Sequence, residues 1–563
     1  MPTLNWIGKD KVVNHHRDVP YRVLEHQYGF SDGQQTQSES TASGNLIING
    51  DNLEALKALL PKYEDKIKCI YIDPPYNTGK DEWAYSDRVN HPKILEWLDK
   101  IVGKEGEDLT RHDKWLCMIY PRIRLLHSFL KEDGVFVASI DNNELYYFKI
   151  ILDEIFGRGN FLGNIIWKNV TDNNPTQIAD EHEYLIVYAK NKDAQPSEWK
   201  SPNLDIKDKL LNLESEMLFN HQDLDTLQKE YSKWFKANKP FMWPFDRYKY
   251  IDKGGIYTGS QSVHNPGKEG YRYDIIHPET KKPCKEPLMG YRFPPDSMKK
   301  LLDDERIIFG TDHNKIVELK LYVKDYRAKL PSVIEIDGRI GSYTLKSILN
   351  QDKLPFKNPK TVGLLEEVLS FITKDDDIIL DSFAGSGTTA HAVLNLNKED
   401  GGNRKFILVE MEDYADTITA ERVKRVTSGY GEGNNATIGT GGSFDYYKLG
   451  QLLFVGNGQE FLNEDIPESK IREYIWYSET RSAFLEIENL ADAQGFLGQS
   501  QNTAYYFVYQ KNELTTLDLP FLASIKTKAE QYVIYADNCL LSKEFMAKHN
   551  IIFKKIPRDI SRF

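Results

Sequence analysis

Asp73-Pro74-Pro75-Tyr76 closes an apolar run, KIKCIYI over 66–72, and brings a carboxylate, a tertiary-amide carbonyl and an aromatic ring together within four residues. The exocyclic amine of a nucleobase has its lone pair delocalised into the ring. To attack a methyl donor it must recover that density as the nitrogen becomes pyramidal. The Asp73 carboxylate and the Pro74 carbonyl can accept its two N–H hydrogens and favour that geometry. Pro74 and Pro75 fix the backbone and keep those acceptors out of a sheet ladder, while Tyr76 can stack on a base rotated out of a duplex. Read alone, the tetrapeptide also fits an ordinary loop stiffened by prolines.

A second constellation lies far along the chain. Asp381-Ser382-Phe383-Ala384-Gly385-Ser386-Gly387-Thr388-Thr389-Ala390 sets G-x-G-x-x-A after an apolar run, where small residues let the backbone approach a ligand closely. Glu410 ends the next apolar run, 23 residues after Gly387, a spacing that suits hydrogen bonds to ribose hydroxyls. These residues suggest an adenosine-bearing cofactor without separating a dinucleotide from another member of that class. A nicotinamide oxidoreductase would explain the glycines and Glu410 but would leave DPPY without a task.

The elements that position these residues follow from periodicity. Residues 45–50 and 66–72 predict strands and 51–60 a helix between them. Helical spacing covers 115–130 and 144–156, and strand character covers 134–140 and 184–189. The pattern then lapses and resumes, with a strand over 378–381, a glycine turn, a helix from 388, a strand over 406–410 and a helix through 426. Such alternation predicts an α/β layer. The polar stretch SDGQQTQSESTASG at 31–44 predicts an exposed linker behind an N-terminal arm, and the glycine-rich run 428–443 separates a last region.

At 563 residues the chain is too long for one hydrophobic core, and 40% hydrophobic with 28% charged residues places it among globular proteins. No apolar run approaches the roughly 18 residues of a membrane span, and the first residues lack the apolar core of a secretion signal, so a cytoplasmic location is expected. Four scattered cysteines form no C-x-x-C pair and predict buried thiols. The net charge is −12, yet within 231–300, 14 Lys and Arg face 7 Asp and Glu, a local +7, among 13 aromatic residues that include Trp234, Phe235, Trp243, Phe245, Tyr248 and Tyr250. Phosphate neutralisation with stacking rings suits nucleic-acid contact; a solvated basic face over an aromatic core is the alternative. Pro295-Asp296 followed by Glu318-Leu319-Lys320 superficially resembles a magnesium-nuclease signature, though its spacing is loose. No G-x-x-x-x-G-K-[ST] occurs, so ATP-driven work would fall to a partner chain.

With these motifs in view, the sequence resembles amino-methyltransferases acting on adenine in DNA, in the permuted (β-class) arrangement where DPPY precedes FAGSG. The matching segments are NGDNLEAL (49–56), DPPYNTG (73–79), YPRIRLL (120–126), DGVFVASIDNNE (133–144), EHEYLIVYAKN (181–191), FKNPKTVGLLEEVL (356–369), DSFAGSGTTAHAVL (381–394) and ILVEMEDYA (407–415). It looks most like the modification (Mod) subunit of type III restriction systems. The resemblance implies a Rossmann-like sheet in circularly permuted order. Its expected parts are an N-terminal arm and linker (1–44), a catalytic half (45–191), an inserted target-recognition domain (192–345), a cofactor-binding half (346–430) and a C-terminal domain for dimer or partner contact (431–563).

It further implies transfer of a methyl group from S-adenosylmethionine to the N6 amine of a flipped adenine, with no metal. Asp73, Pro74, Pro75 and Tyr76 would form the catalytic segment. Asp51, Lys360, Asp381, Phe383, Gly385, Gly387 and Glu410 would surround the cofactor. Asp51 would meet its adenine, Glu410 its ribose, and Lys360 the methionine part unless that lysine is merely solvent-exposed at a helix start. Implied partners are double-stranded DNA, a second copy of the chain and a restriction ATPase/nuclease subunit. An orphan methyltransferase and a subunit serving mainly for DNA binding are the rival readings.

Overall fold

Apolar runs too continuous for half-exposed strands form the middle of a large sheet, as expected where both faces are covered by helices. The computed structural model describes residues 3–37, 39–78, 111–170 and 177–563, the last apart from 202–204, 222, 240–241, 243–244, 266–268, 327, 352, 355, 434–435, 457–458, 486–491 and 493. Gly79 of the DPPYNTG segment and Trp243 therefore lie outside the described residues.

The sheet strands in chain order are β1 (Arg22–Ser31), β2 (Gln34–Thr36), β3 (Leu46–Asn49), β4 (Ile67–Ile72), β5 (Leu130–Ile140), β6 (Phe161–Lys168), β7 (His182–Ala189), β8 (Val333–Glu335), β9 (Ile378–Asp381), β10 (Lys405–Glu410) and β11 (Ser443–Leu452). They line up as β8-β6-β7-β5-β4-β9-β10-β3-β11-β1-β2. From β5 to β11 every neighbouring pair is parallel. β7 runs antiparallel to both β5 and β6, and β1 antiparallel to β11. Helices α1 (Asn52–Tyr63), α2 (Arg111–Phe129), α3 (Leu145–Phe156), α4 (Arg339–Leu349), α5 (Val362–Ile372), α6 (Thr388–Asp400) and α7 (Glu421–Ser428) belong to the same unit. The α/β expectation is thus met by a mixed sheet whose parallel centre carries β4 beside β9, with Cys69 opposite Ile379 and Ile70 opposite Leu380. Parallel neighbours end on the same edge, so Asp73 and Asp381 leave the sheet side by side.

Two compact units divide the chain: Met1–Ser197 with Pro331–Phe563, and Glu198–Leu330. The insert is therefore narrower than 192–345. Residues 333–335, read as part of it, add β8 parallel to β6 at the sheet's end. The segments 1–44 and 431–563 also differ from a free arm and a separate domain, because each supplies a strand to the sheet. β11 pairs with β3 on one side and β1 on the other. Its buried Asp445 accepts hydrogen bonds from Ser40 Oγ (3.0 Å), Thr41 N (2.8 Å) and Thr41 Oγ1 (2.9 Å). The polar residues that suggested a solvated linker thus satisfy a buried carboxylate. Further on, Tyr474 stacks on Phe563 with centroids 4.6 Å apart and meets Tyr21 edge-on at 4.8 Å, joining the last residues to the core of the first unit.

The second unit holds helices Asp205–Asn220, Leu224–Asn238 and Pro295–Asp303 and a four-stranded antiparallel sheet. Here several of the rings expected to offer stacking surfaces are core: Phe235, Phe245 and Tyr248 are buried with Tyr231 around Leu210 and Leu227. A unit this small spends its large apolar side chains on its own stability. Tyr250 and Tyr271 remain exposed. Asp296 lies in a helix and Glu318 opens a strand, and among the described residues no group of three or more His, Cys, Asp or Glu is arranged to hold a metal ion.

Candidate active site

β4 is buried along its whole length and ends where Pro74 and Pro75, lacking N–H groups, cannot continue the ladder. The chain turns out over the sheet edge, and Trp115 of α2 fixes it by donating Nε1–H to the Pro75 carbonyl at 2.7 Å. Among the described residues no donor engages the carbonyl of Pro74. Beyond Tyr76 the backbone adopts a left-handed conformation at Asn77 (φ 60°), which Asn tolerates better than most residues. The Asn77 amide donates to the buried Glu144, whose same oxygen contacts His112 Nδ1 at 2.7 Å. One aromatic anchor, Trp115, and the buried carboxylate of Glu144 therefore hold the segment in place.

A cleft of about 430 Å³ opens at this edge. Asp73, Pro74 and Tyr76 line one side, and Phe383, Gly385 and Lys360 are among the residues lining the rest. The Asp73 carboxylate takes an ion pair from Lys360 Nζ at 3.0 Å, and the same ammonium lies 3.2 Å from Glu183 Oε2. Tyr76 donates its hydroxyl to Glu183 Oε2 at 2.8 Å, and Asn169 Nδ2 donates to Glu183 Oε1 at 2.7 Å. Lys360 also sits 4.8 Å from the Tyr76 ring centroid and 5.7 Å from that of Trp167. Burial raises the Asp73 carboxyl above its ordinary range and the charge of Glu183 adds to the rise, while Lys360 opposes both. Burial alone would depress Lys360, but the charges of Asp73 and Glu183 outweigh it and raise the ammonium above its usual value. Lys360 is therefore a buried, paired cation and no exposed surface lysine.

The glycine turn leaves β9 toward the same cleft. Gly385 (φ 52°) and Gly387 (φ 79°) are left-handed, and a Cβ at Gly385 would stand 3.2 Å from Phe356. Gly387 then caps α6. Asp381 braces the turn from below, accepting from Phe383 N at 3.0 Å and from the Thr389 hydroxyl. Phe383 and Asp381 also line the cleft.

Other expected residues do not line it. Glu410 is buried and accepts from Gly385 N at 2.7 Å and Glu412 N at 3.0 Å, supporting the turn from the neighbouring strand. Asp51 caps α1 by accepting from Leu53 N (2.9 Å) and Glu54 N (3.1 Å), and faces Arg122 at 3.4 Å. Gly387 and Pro75 likewise do not line the cleft. Sequence reasoning passed over Glu183, Asn169, Trp167 and Glu144. Two of them had a signal, since Glu183 and Glu144 are among the acidic positions of EHEYLIVYAKN and DGVFVASIDNNE.

Burial pushes the Asp381 carboxyl up to about 7 and that of Glu410 up to about 8, from ordinary values of 3.8 and 4.5. Both are raised above their unfolded values, so the folded chain retains protons that the unfolded chain has released. Their stabilising contribution is present below about pH 4 and is lost as the pH climbs to about 8. Thermal unfolding midpoints measured from about pH 5 to about pH 9 are expected to fall across this window, and to fall less in Asp381→Asn. An equal slope in that variant would contradict the assignment.

A family model described as DNA methylase matches residues 67–421, from the start of β4 to the start of α7. The chain belongs to the DNA methylase family. Over 422 residues it is 48% identical to the Mod subunit of the type III restriction-modification enzyme EcoP15I of Escherichia coli, covering 73% of this chain and 64% of that protein. It is 31% identical to the StyLTI Mod subunit of Salmonella typhimurium, covering 79% and 66%. The type II methyltransferase M.KpnI of Klebsiella pneumoniae is 28% identical, covering 66% of this chain and 81% of the relative. The resemblance to type III Mod subunits read from the motifs is thus borne out, although the chain spans less than two thirds of the length of the two Mod subunits. This DNA methylase has no helix, among the described residues, long and apolar enough to cross a membrane.

Proposed function

We propose that this DNA methylase transfers a methyl group from S-adenosylmethionine to the N6 amine of an adenine turned out of double-stranded DNA, as the modification and specificity subunit of a type III restriction-modification system. The observation that carries the reading is the juxtaposition in one cleft of the Asp73 carboxylate, the Pro74 carbonyl and the Tyr76 ring with the turn at Gly385. The residues fit the cofactor: the turn approaches Phe356 so closely that a side chain at Gly385 would crowd it, which suits a backbone meant to pass close to a ligand. When bound, S-adenosylmethionine would supply an electrophilic methyl carbon.

The chain's own residues do the rest. Tyr76 offers its ring face to the everted base. Asp73 and Pro74 accept the two amine hydrogens and leave the lone pair localised on the nitrogen. As that nitrogen takes the methyl carbon, the bond to the donor sulfur would break with its electron pair left on sulfur and one amine proton would pass to the Asp73 carboxylate. Alignment of the reacting atoms supplies much of the acceleration. The permuted class is supported by chain order, since DPPY precedes FAGSG. A second copy of the chain and a restriction subunit complete the proposed assembly, and a cytoplasmic site of action follows from its DNA substrate.

Incubation with tritiated S-adenosylmethionine and double-stranded DNA tests the reaction. Label is expected on N6-methyladenine after digestion of the product. Label on cytosine, or none on DNA, would overturn the assignment. The match to the type II methyltransferase M.KpnI, which covers 81% of that protein, favours one competing reading, a methyltransferase outside a type III assembly. Copurification of an ATPase with the natively expressed chain would decide for the type III assembly.

A further inference from the structure

We propose that Glu183 is a positioning residue, which from the start of β7 holds the Tyr76 hydroxyl and the Lys360 ammonium on one carboxylate oxygen and so fixes the base platform and the cation beside Asp73. The inference rests on the proposed methyl transfer and adds to it a tether that neither DPPY nor the glycine turn contains.

The geometry is that of a hub. Glu183 Oε2 receives Tyr76 OH at 2.8 Å and Lys360 Nζ at 3.2 Å, and Oε1 receives Asn169 Nδ2 at 2.7 Å. Both oxygens are engaged, so the carboxylate cannot swing away without releasing a partner. Its position is set by the sheet, because Trp167 and Glu183 face each other in the β6–β7 register. Tyr76, by contrast, lies on irregular backbone after two prolines, and its ring plane is fixed only by what its hydroxyl and faces touch. Lys360 arrives on another loop, and a lysine this buried requires anionic company. Glu183 thus transmits the rigidity of the sheet to two side chains that lack it.

A second consequence is electrostatic. The ionisable groups facing Asp73 are Lys360, Glu183 and Tyr76, with Tyr71 on β4 and Asp381 on β9 also in reach. Ionised, Asp73 is the stronger acceptor of an amine hydrogen. Glu183 opposes that state by its charge, and Lys360 favours it. The two therefore act on Asp73 with opposite signs.

The test uses the full-length protein and a duplex carrying 2-aminopurine at the methylated position. Without cofactor, fluorescence reports eversion of the base. Wild-type protein is expected to raise it, Glu183→Ala to lose most of that rise, and Glu183→Gln, which retains an oxygen for Tyr76, to recover it. In tritium transfer, Glu183→Ala is expected to lower kcat about 10- to 100-fold with little change in the KM for S-adenosylmethionine. The acid limb of the kcat profile is expected to move to lower pH in Glu183→Gln and to higher pH in Lys360→Met. Unchanged fluorescence and kcat in Glu183→Ala, or acid limbs that shift in the same direction, would overturn the proposal. Failure of the underlying reading is distinguishable, because wild-type protein would then transfer no label to DNA.

Discussion

Asp73→Ala is expected to lower methyl transfer by about a thousandfold while leaving the affinity for S-adenosylmethionine nearly unchanged. Removing one preorganised hydrogen-bond partner of a reacting group costs on the order of 10²–10³ in rate, and one further loss adds to it here. Lys360 would be left beside the cleft with only Glu183 as counter-charge. The amine would keep a single acceptor, the Pro74 carbonyl, and lose the charged one. Stability should fall as well, since the buried Lys360 ammonium loses one of its two carboxylate partners. Tritium transfer under single-turnover conditions measures the rate, and calorimetric titration with the cofactor measures the affinity. A rate within tenfold of wild type would remove Asp73 from the chemistry. A parallel loss of cofactor binding would reassign it to the cofactor side of the cleft.

The second large effect is expected at the turn. Gly385→Val should weaken S-adenosylmethionine binding about 10- to 100-fold, because a β-branched residue in a left-handed conformation carries of order 1–3 kcal/mol of strain, and each 1.4 kcal/mol is a factor of ten. The new Cβ would also stand 3.2 Å from the Phe356 ring, so the ring or the turn must move. The Gly385 amide donates to Glu410 at 2.7 Å, and a displaced turn would release that buried carboxylate as well. Gly402→Val, outside the cleft, serves as the comparison. Equal affinities in calorimetric titration of Gly385→Val and wild type would show that the turn does not meet the cofactor.

Much of this was readable in the sequence wherever a single local rule decided the outcome. The run at 67–72 is buried on both faces, which is why it reads as a strand without alternation, and the two prolines mark its end. Glycines at 385 and 387 mark a turn because few other residues accept positive φ. The β1–β11 pairing was hidden for the opposite reason: β1 mixes buried and exposed positions without a clean period, and its partner lies at the other end of the chain. In the second unit the clustered rings were legible as a feature, but burial of Phe235, Phe245 and Tyr248 depends on packing that composition does not encode. The bond between Tyr76 and Glu183 is hidden in the same way, since only the β7 register brings the two together.

The placement of β9 between β4 and β10 has a consequence for biosynthesis. About 300 residues separate Asp73 from Asp381, and at roughly 5–20 residues per second a ribosome needs about 15–60 s to cover them. Throughout that interval β4 lacks one of its two lateral neighbours, and its apolar edge stands open on the nascent chain. A polypeptide arrested before β9 emerges therefore lacks Asp381 and the turn at Gly385, and the cleft is complete only after the late strands have slotted into the waiting gap.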